Sequence, residues 1–209
     1  MQTFVPESLE RFFHDHPRVA LAYSGGCDSV FLLACAKACG AEVYPFTVET
    51  AFQYAFESDD ARLAASQIGV THEVISLDIF AYPEVVANPP DRCYHCKKAI
   101  FTAIREAAAK QGIKALIDGT NASDDPARRP GFRAIEELGV RSPLREAGLS
   151  KERIRELSRA MGLITADKPN YSCLATRVEA GCPITPVLLE SFVQEDWRER
   201  TSTARHDTL

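Results

Sequence analysis

The amino-acid sequence predicts an α/β fold, a Rossmann-like parallel sheet with helices on both faces. Between residues 18 and 118, short apolar runs of strand type alternate with longer stretches of helical spacing. Such alternation requires crossover connections between parallel strands. A Ser-Gly-Gly turn joins the first strand to its helix, as in many nucleotide-binding domains. The 209 residues, 45% hydrophobic and 25% charged, are typical of a globular protein with a full-sized core.

Each predicted element has its own local signal. Apolar runs predict four strands, over residues 18–23, 42–49, 71–78 and 114–118. Helical spacing predicts helices over residues 6–14, 28–38, 57–69, 97–111, 150–161 and 186–200. Gly69 and Gly112 are natural helix stops, and Ser150 is a natural N-cap.

Charge and the N-terminal sequence disfavour several classes of protein. With 24 Lys and Arg against 29 Asp and Glu, the net charge of −5 disfavours a general nucleic-acid coat. The N-terminus lacks the pattern of a signal peptide, and the longest strongly apolar stretch, residues 30–35, is too short to span a bilayer. We therefore expect no membrane or nucleic-acid partner and a cytoplasmic, reducing location. There, clustered cysteines bind metal or do chemistry more often than they form disulfides.

The turn at residues 24–29 (SGGCDS) is a candidate phosphate-binding loop. A strand-to-helix turn of this kind exposes backbone N–H groups at a helix N-terminus, where anions bind. Gly25 and Gly26 allow close approach of the backbone to a phosphate, and Ser24 and Ser29 add hydroxyl donors. Neither the Walker pattern nor the dinucleotide pattern is present. We favour a phosphate loop over the alternative, a tight turn with serine caps.

A second candidate segment, residues 118–121 (DGTN), follows the fourth predicted strand. Ligands of open α/β sheets bind beyond the carboxyl ends of the strands, and Thr47, near the end of the second strand, belongs to the same rim. Alone, this segment is an ordinary Gly-Asn turn. It gains significance because the phosphate loop belongs to the same rim.

The third candidate site consists of cysteines. Cys93 and Cys96 form a CxxC that we place in a loop opening with two prolines, and Cys173 stands apart. The pair alone is consistent with a structural zinc half-site or a redox pair. With Cys173, the set makes three thiolates, to which His95 or His72 could add a fourth ligand. Three cysteines can also hold a [4Fe–4S] cluster with one open iron, and spacing does not decide between these sites.

The other four cysteines have plainer interpretations. Cys35 and Cys39 lie within a predicted helix rich in Ala and Leu and are expected to be core residues. Cys27 occupies a variable position of the phosphate loop. Cys182 has no assigned role.

The motifs occur together in the order of a known family. After the phosphate loop come residues 90–98 (PDRCYHCKK), 118–121 (DGTN), 129–131 (RPG), 142–149 (SPLREAGL), 167–169 (DKP) and 173–177 (CLATR). From about residue 19 to residue 185, the chain resembles the LarE family of ATP-dependent sulfur transferases. This family belongs to the PP-loop ATP pyrophosphatases, which have the fold of the adenine nucleotide α-hydrolases.

The resemblance implies a two-step reaction. ATP with Mg²⁺ adenylates a carboxylate of a pyridinium mononucleotide, and sulfur then replaces AMP to give a thiocarboxylate on the route to the nickel-pincer nucleotide of lactate racemase. In some members one cysteine, at the position of Cys173, gives up its own sulfur. In others three cysteines, at the positions of Cys93, Cys96 and Cys173, bind a [4Fe–4S] cluster. Because this chain has all three, we expect the cluster type, reloaded by a sulfide source.

The resemblance also implies roles for individual residues. The implied catalytic residues are Cys173, Cys93, Cys96 and Arg177. The implied ATP-binding residues are Ser24, Gly25, Gly26, Asp28, Ser29, Thr47, Gly119 and Asn121. From their context alone, Arg92 and Arg177 are candidates for binding the substrate, with a surface charge as the alternative for each. Asp124 and Asp125 are candidates for reaching Mg²⁺ and equally for turn residues.

The chain departs from the family pattern at two places, and two other functions compete with the one that the resemblance implies. The division expected is a PP-loop ATP-binding domain, residues 1–165, and a cysteine-bearing segment with a truncated or atypical C-terminal part, residues 166–209. Thr176 replaces the usual Ser, and residues 179–181 (EAG) replace Pro-Tyr-Gly. The family implies a homo-oligomer. The rivals are a tRNA thiolase with a three-cysteine cluster and a non-catalytic nucleotide-binding or zinc protein.

Overall fold

A four-stranded parallel sheet forms the centre of the protein. The computed structural model describes the backbone of residues 4–206 and the side chains of residues 4–197. The strands are β1 (Arg18–Ala22), β2 (Glu42–Glu49), β3 (Glu73–Ser76) and β4 (Ala115–Ile117). Their order is β3-β2-β1-β4, and every pairing is parallel. The predicted parallel α/β sheet is confirmed.

Helices connect the strands and follow the last one. They are α1 (Glu7–Asp15), α2 (Cys27–Ala38), α3 (Ala55–Ile68), α4 (Pro83–Val86), α5 (Arg92–Lys110), α6 (Phe132–Glu137), α7 (Pro143–Glu146), α8 (Lys151–Ala160) and α9 (Pro186–His206). Short 3₁₀ turns occupy Ile79–Ala81, Pro126–Arg128 and Leu174–Arg177. In the part of the chain that the structure describes, no helix is both long enough and apolar enough to cross a membrane.

The two faces of the sheet bury separate apolar clusters, because successive strand side chains point to opposite faces. Val19 and Leu21 of β1 pack in a cluster with residues of α1, α2, α3 and α8. Ala20, between them, belongs to the cluster that α5 and α6 form on the other face. The prediction of helices on both faces is thereby confirmed.

A third apolar cluster holds the C-terminal segment against the rest of the protein. Phe52, Ile79 and Val85 pack with Leu174 and Leu189, and all five side chains are almost fully buried. The predicted boundary at residue 165 stays a prediction, but the segment after it shares a core with residues that precede α5.

The prediction that the CxxC lies in a loop is wrong, because α5 begins at Arg92. The backbone N–H of Arg92 donates to Pro89 O and that of Tyr94 to Asp91 O, so the Pro-Pro turn continues directly into the helix. Proline is tolerated near a helix start, where N–H groups have no intrahelical acceptor. Cys93 and Cys96 therefore lie in the first turns of a 19-residue helix.

Other boundaries follow the sequence closely. β2 covers the predicted residues 42–49, and the Oγ of Ser150 accepts a hydrogen bond from the backbone N–H of Arg153, as expected of the N-cap of α8. α9 extends six residues beyond its predicted end. The short helices α4, α6 and α7 were not predicted, since four to six residues are too few to show a helical period.

Candidate active site

The loop between β1 and α2 is closed by its own side chains. The Oγ atoms of Ser24 and Ser29 are 3.2 Å apart, the backbone N–H of Gly26 donates to Ser24 Oγ, and Ser29 Oγ donates to Gly26 O. Gly25 has a φ of 69°, and a Cβ at this position would lie 2.5 Å from the Cα of Ala61 in α3. Only glycine fits here, and the loop presents the N-terminus of α2 as an anion site.

The segment after β4 lies directly against this loop. A Cβ on Gly119 would lie 3.0 Å from the backbone nitrogen of Ser29, so glycine permits the close approach. The side-chain amide of Asn121 donates to Asp28 Oδ2 at 3.4 Å. The structure therefore brings together the two segments that the sequence assigned separately to one rim.

A cavity of about 670 Å³ opens beside these two segments. Among the residues predicted to bind ATP, it is lined by Ser24, Gly26, Asp28, Ser29, Gly119 and Asn121. Thr47 is not in this lining, because its buried hydroxyl donates to the carbonyl oxygen of Tyr23 at 2.9 Å. A part for Thr47 in ATP binding stays a prediction.

Four cations in the cavity wall were not assigned from the sequence. Each lies beside a carboxylate: Lys97 with Asp118 at 3.8 Å, Arg129 with Asp124 at 2.9 Å, Lys151 with Asp28 at 2.7 Å, and Lys168 with Asp60 at 2.9 Å. Lys97, Arg129 and Lys168 lie within the motifs shared with the family, and this membership could have identified them as site residues. Lys151 lies in no motif that the resemblance uses. Cations around a phosphate loop stabilise the charge of a polyphosphate.

Asp28 has the chemistry of a magnesium ligand. Its Oδ2 accepts from Lys151 and Asn121, while its Oδ1 is buried and has no hydrogen-bond partner. Asp28 also lines the cavity, and an unpartnered buried carboxylate oxygen on such a residue fits Mg²⁺, which prefers carboxylate and phosphate oxygens. Of the two other candidates, Asp124 lines the cavity, whereas Asp125 caps the 3₁₀ turn Pro126–Arg128 and lies outside the lining.

None of the three predicted sulfur residues lines the cavity, although Lys97 and Ser172, the chain neighbours of Cys96 and Cys173, do. Cys93 and Cys96 lie at the start of α5, and Cys173 is the N-cap of the 3₁₀ turn Leu174–Arg177. Burial raises the pKa of the Cys96 thiol to about 12, and the nearby Cys173 and Cys93 thiols raise it further. Desolvation also raises the pKa of Cys173, while a backbone hydrogen bond and the charge of Arg92 lower it. These mutual effects place the three thiols within electrostatic range of one another.

The histidines do not complete a closed metal site. His72 lines a different cavity, at the start of β3, and the Nε2 of His95 lies 3.5 Å from Asp91 Oδ1. Among the described side chains of residues 4–197, no group of three His, Cys, Asp or Glu residues is placed to hold a metal ion. The donor chemistry of three thiols from two elements still fits an iron–sulfur cluster, which stays a prediction.

Arg92 links the two elements that carry the cysteines. Its buried Nη1 donates to Asn88 Oδ1 and to Ala175 O, each at 2.7 Å, and its Nη2 donates to Cys93 Sγ at 3.9 Å. Asn88 in turn donates to the carbonyl oxygens of Val178 and Glu179. These contacts are internal, so binding of a substrate by Arg92 stays a prediction, and the linking role was missed from sequence.

Arg177, the second predicted substrate ligand, contacts α9. Its guanidinium pairs with Glu195 at 2.8 Å and with Asp196 at 2.9 Å, and it lies 4.3 Å from the ring centroid of Phe192. This pairing has no local signal in the sequence, because eighteen or more residues separate the partners. A role for Arg177 in substrate binding or catalysis also stays a prediction.

Comparison with known proteins identifies relatives of two kinds. An uncharacterised protein of Synechocystis is 37% identical over 180 residues, which are 86% of this chain and 67% of that protein. Pyridinium-3,5-bisthiocarboxylic acid mononucleotide synthase of Lactiplantibacillus plantarum is 31% identical over 173 residues, 82% of this chain and 63% of the synthase. The tRNA-specific 2-thiouridylase MnmA of Zymomonas mobilis is 28% identical and matches 79% of this chain and 57% of the thiouridylase.

These matches leave part of each relative uncovered, since the chain spans about two thirds or less of their lengths. No family model matches the chain. The parallel sheet and the Ser-Gly-Gly loop at its carboxyl rim are shared features of the PP-loop fold to which these enzymes belong. With this fold and these identities, the chain belongs to the LarE family of PP-loop sulfur transferases.

Proposed function

We propose that this protein is an ATP-dependent sulfur transferase that converts a carboxylate of a pyridinium mononucleotide into a thiocarboxylate, in the biosynthesis of a nickel-pincer nucleotide. One observation carries the proposal. Lys97 and Ser172, the direct neighbours of Cys96 and Cys173, line the same cavity as the phosphate loop. A nucleotide held by the loop would therefore lie close to two of the cysteines.

The first step is adenylation. A carboxylate oxygen of the substrate attacks the α-phosphorus of ATP, and the bond to pyrophosphate breaks. The N–H groups and hydroxyls of residues 24–29, together with Lys151 and Lys168, stabilise the charge that develops on the phosphates. Asp28 would hold Mg²⁺, which supplies further positive charge to the leaving pyrophosphate.

The second step transfers sulfur. A sulfur nucleophile attacks the activated carboxyl carbon, and AMP leaves with the electron pair of the broken C–O bond. Because the pKa values of Cys96 and Cys173 are raised, both thiols are neutral near pH 7, and neutral thiols are poor nucleophiles. Cys93, Cys96 and Cys173 would hold a [4Fe–4S] cluster that, when bound, supplies the sulfur. A sulfide source, a cytoplasmic location and a homo-oligomer remain part of the proposal.

The test combines metal analysis with product analysis. The full chain is reconstituted anaerobically with iron and sulfide, then incubated with MgATP and pyridinium-3,5-biscarboxylic acid mononucleotide. We expect iron and acid-labile sulfide on the protein, pyrophosphate release that requires the mononucleotide, and a thiocarboxylate product by mass spectrometry. Cys173→Ser should abolish the product, whereas Cys182→Ser, an exposed cysteine outside the cavity, should not.

Three outcomes would change the proposal. A protein that binds no iron yet makes product once per chain, with Cys173 converted to dehydroalanine, would overturn the cluster. Pyrophosphate release that requires tRNA, followed by thiolation of that tRNA, would identify the thiouridylase-like alternative. ATP binding without pyrophosphate release, with zinc as the metal found, would support a non-catalytic protein.

A further inference from the structure

Tyr171 presents an aromatic surface to the cavity. Of the described residues in the lining, Phe101 and Tyr171 carry aromatic rings. Phe101 is buried at 3% exposure and packs within the core, while Tyr171 is 40% exposed. Its chain neighbours in the wall, Asn170 and Ser172, are polar. The Tyr171 ring therefore offers an apolar face in a mostly polar part of the site.

Other aromatic rings hold Tyr171 in place. The ring of Phe56 meets it edge to face, with centroids 5.0 Å apart and planes at 73°. Phe56 stacks on Tyr54, whose hydroxyl donates a hydrogen bond to Asp196 of α9. Because aromatic pairs of this geometry restrain each other, the Tyr171 ring is positioned before any ligand binds.

The position of Tyr171 matches the place where the acceptor ring has to lie. Tyr171 is two residues before Cys173 and lines the same cavity as Ser24 and Ser29. In the proposed substrate the reacting carboxyl is bonded directly to the pyridinium ring. During the reaction that carboxyl must reach the α-phosphate on one side and the sulfur on the other. The ring is thereby confined to the space between the phosphate loop and the cysteines.

Charge favours a cationic ring at this point. The face of a phenol ring carries negative potential and attracts cations, including aromatic cations of ligands. The Nζ of Lys168 already lies 6.0 Å from the Tyr171 centroid, while it is paired with Asp60. Since Asp60 balances that charge, the ring can accept a second cationic group.

We infer that Tyr171 stacks against the pyridinium ring of the acceptor and makes the site prefer a cationic ring over a neutral one. This inference rests on the proposed function and adds a specificity residue to it. Adenine, the other aromatic ring in the reaction, would stack with no preference for charge, and the test separates the two.

The test measures binding of nicotinic acid mononucleotide, which has a pyridinium ring, one carboxylate and one phosphate, and of its dihydropyridine form, whose ring is uncharged. Calorimetry is done on the full chain with Tyr171→Leu, Tyr171→Gln and, as the matched control, Tyr171→Phe. We expect the Leu and Gln variants to bind the pyridinium form about tenfold more weakly and Phe to stay within about twofold. The preference of the wild type for the charged ring should disappear in Leu and Gln, and ATP affinity should not change.

The other outcomes distinguish failure of the stacking inference from failure of the proposed function. If Leu and Gln bind the pyridinium form as the wild type does, the stacking inference fails and the proposed function stands. If both variants lose ATP affinity equally while retaining the thermal unfolding midpoint of the Phe variant, Tyr171 holds adenine instead. If the wild type binds ATP but neither these mononucleotides nor pyridinium-3,5-biscarboxylic acid mononucleotide, the proposed function fails together with the inference.

Discussion

The guanidinium of Arg92 donates a 2.7 Å hydrogen bond to the carbonyl oxygen of Ala175, and this contact joins the helix of Cys93 and Cys96 to the turn of Cys173. Arg92 is 8% exposed, so the contact is shielded from water. The relative position of the three thiols therefore depends on one arginine in addition to the apolar cluster beneath it.

Replacing Arg92 should separate the cysteines. Arg92→Ala leaves the buried Oδ1 of Asn88 without its donor and Ala175 O with only the 3.3 Å hydrogen bond from Val178 N–H, and we expect a loss of about 2–4 kcal/mol in the free energy of unfolding. Iron retained after reconstitution should fall as well. Urea unfolding and iron analysis check both effects. Arg62→Ala, which breaks an exposed ion pair with Asp59, should cost less than about 1 kcal/mol, and an equal loss in both variants would contradict the linking role.

Gly25 and Gly148 form a matched pair for testing the phosphate loop. Both have a left-handed φ, 69° and 67°, so an alanine side chain strains the backbone similarly at each. A Cβ at Gly25 meets Ala61 at 2.5 Å, whereas a Cβ at Gly148 meets nothing within 4 Å. Gly25→Ala should abolish ATP binding and destabilise the protein by more than Gly148→Ala, which should keep ATP affinity. Similar ATP affinities in the two variants would show that the loop tolerates a Cβ at residue 25 and would contradict this prediction.

Asp28→Asn should weaken the binding of Mg²⁺ that we assign to this residue. The buried Oδ1 has no partner in the protein, and an amide cannot supply the negative charge of a carboxylate to Mg²⁺. We expect the Mg²⁺ concentration for half-maximal pyrophosphate release to rise about tenfold or more. Asp125→Asn is the control, because this aspartate lies outside the cavity and caps a 3₁₀ turn. A Mg²⁺ requirement that is unchanged in Asp28→Asn would move the ion to another residue.

Stability of the metal-free protein should fall at high pH. The pKa of Cys96 is about 12 in the folded protein against 9.0 ordinarily, so the folded chain keeps this proton where the unfolded chain has lost it. The resulting stabilisation is complete below about pH 9 and is lost as the pH rises towards about 12. Urea midpoints measured across this range should decline. Burial also raises the pKa of Cys35 and of Tyr23, so the urea midpoint still declines at high pH in a variant that lacks only the Cys96 thiol.

Cys96→Ala isolates the contribution of the active-site thiol. The urea midpoint of the Cys96→Ala variant should decline less steeply with pH than that of the wild type. Cys182→Ala, at an exposed position, should retain the full decline of the midpoint. Parallel curves for the wild type and Cys96→Ala would contradict the raised pKa of Cys96.

The sheet and the phosphate loop were predictable because their signals are local. Apolar runs such as residues 18–23 specify buried parallel strands, and Gly25 of the loop lies where a side chain would collide with Ala61 of α3. The start of α5 was misjudged for a local reason as well. Pro89 and Pro90 favour a loop by composition, although they precede Arg92 in a position that a helix start accepts.

The polar details of the site were not predictable, since they join residues far apart in sequence. Lys151 meets Asp28 across 123 residues, and Arg92 meets Ala175 across 83. Nothing in the spacing of either residue indicates its partner. Thr47 is a further example. Its position near the end of β2 places it at the carboxyl rim of the sheet, but its hydroxyl donates to the backbone carbonyl of Tyr23, the residue after β1.

The apolar cluster shared by Phe52, Ile79, Val85, Leu174 and Leu189 determines how the chain can be shortened in the laboratory. A fragment ending near residue 165 would keep the phosphate loop but would uncover the first three of these side chains. Exposed apolar patches of this kind promote aggregation. Any fragment prepared for crystallisation or genetic complementation therefore has to extend at least into the first turn of α9, where Leu189 closes the cluster.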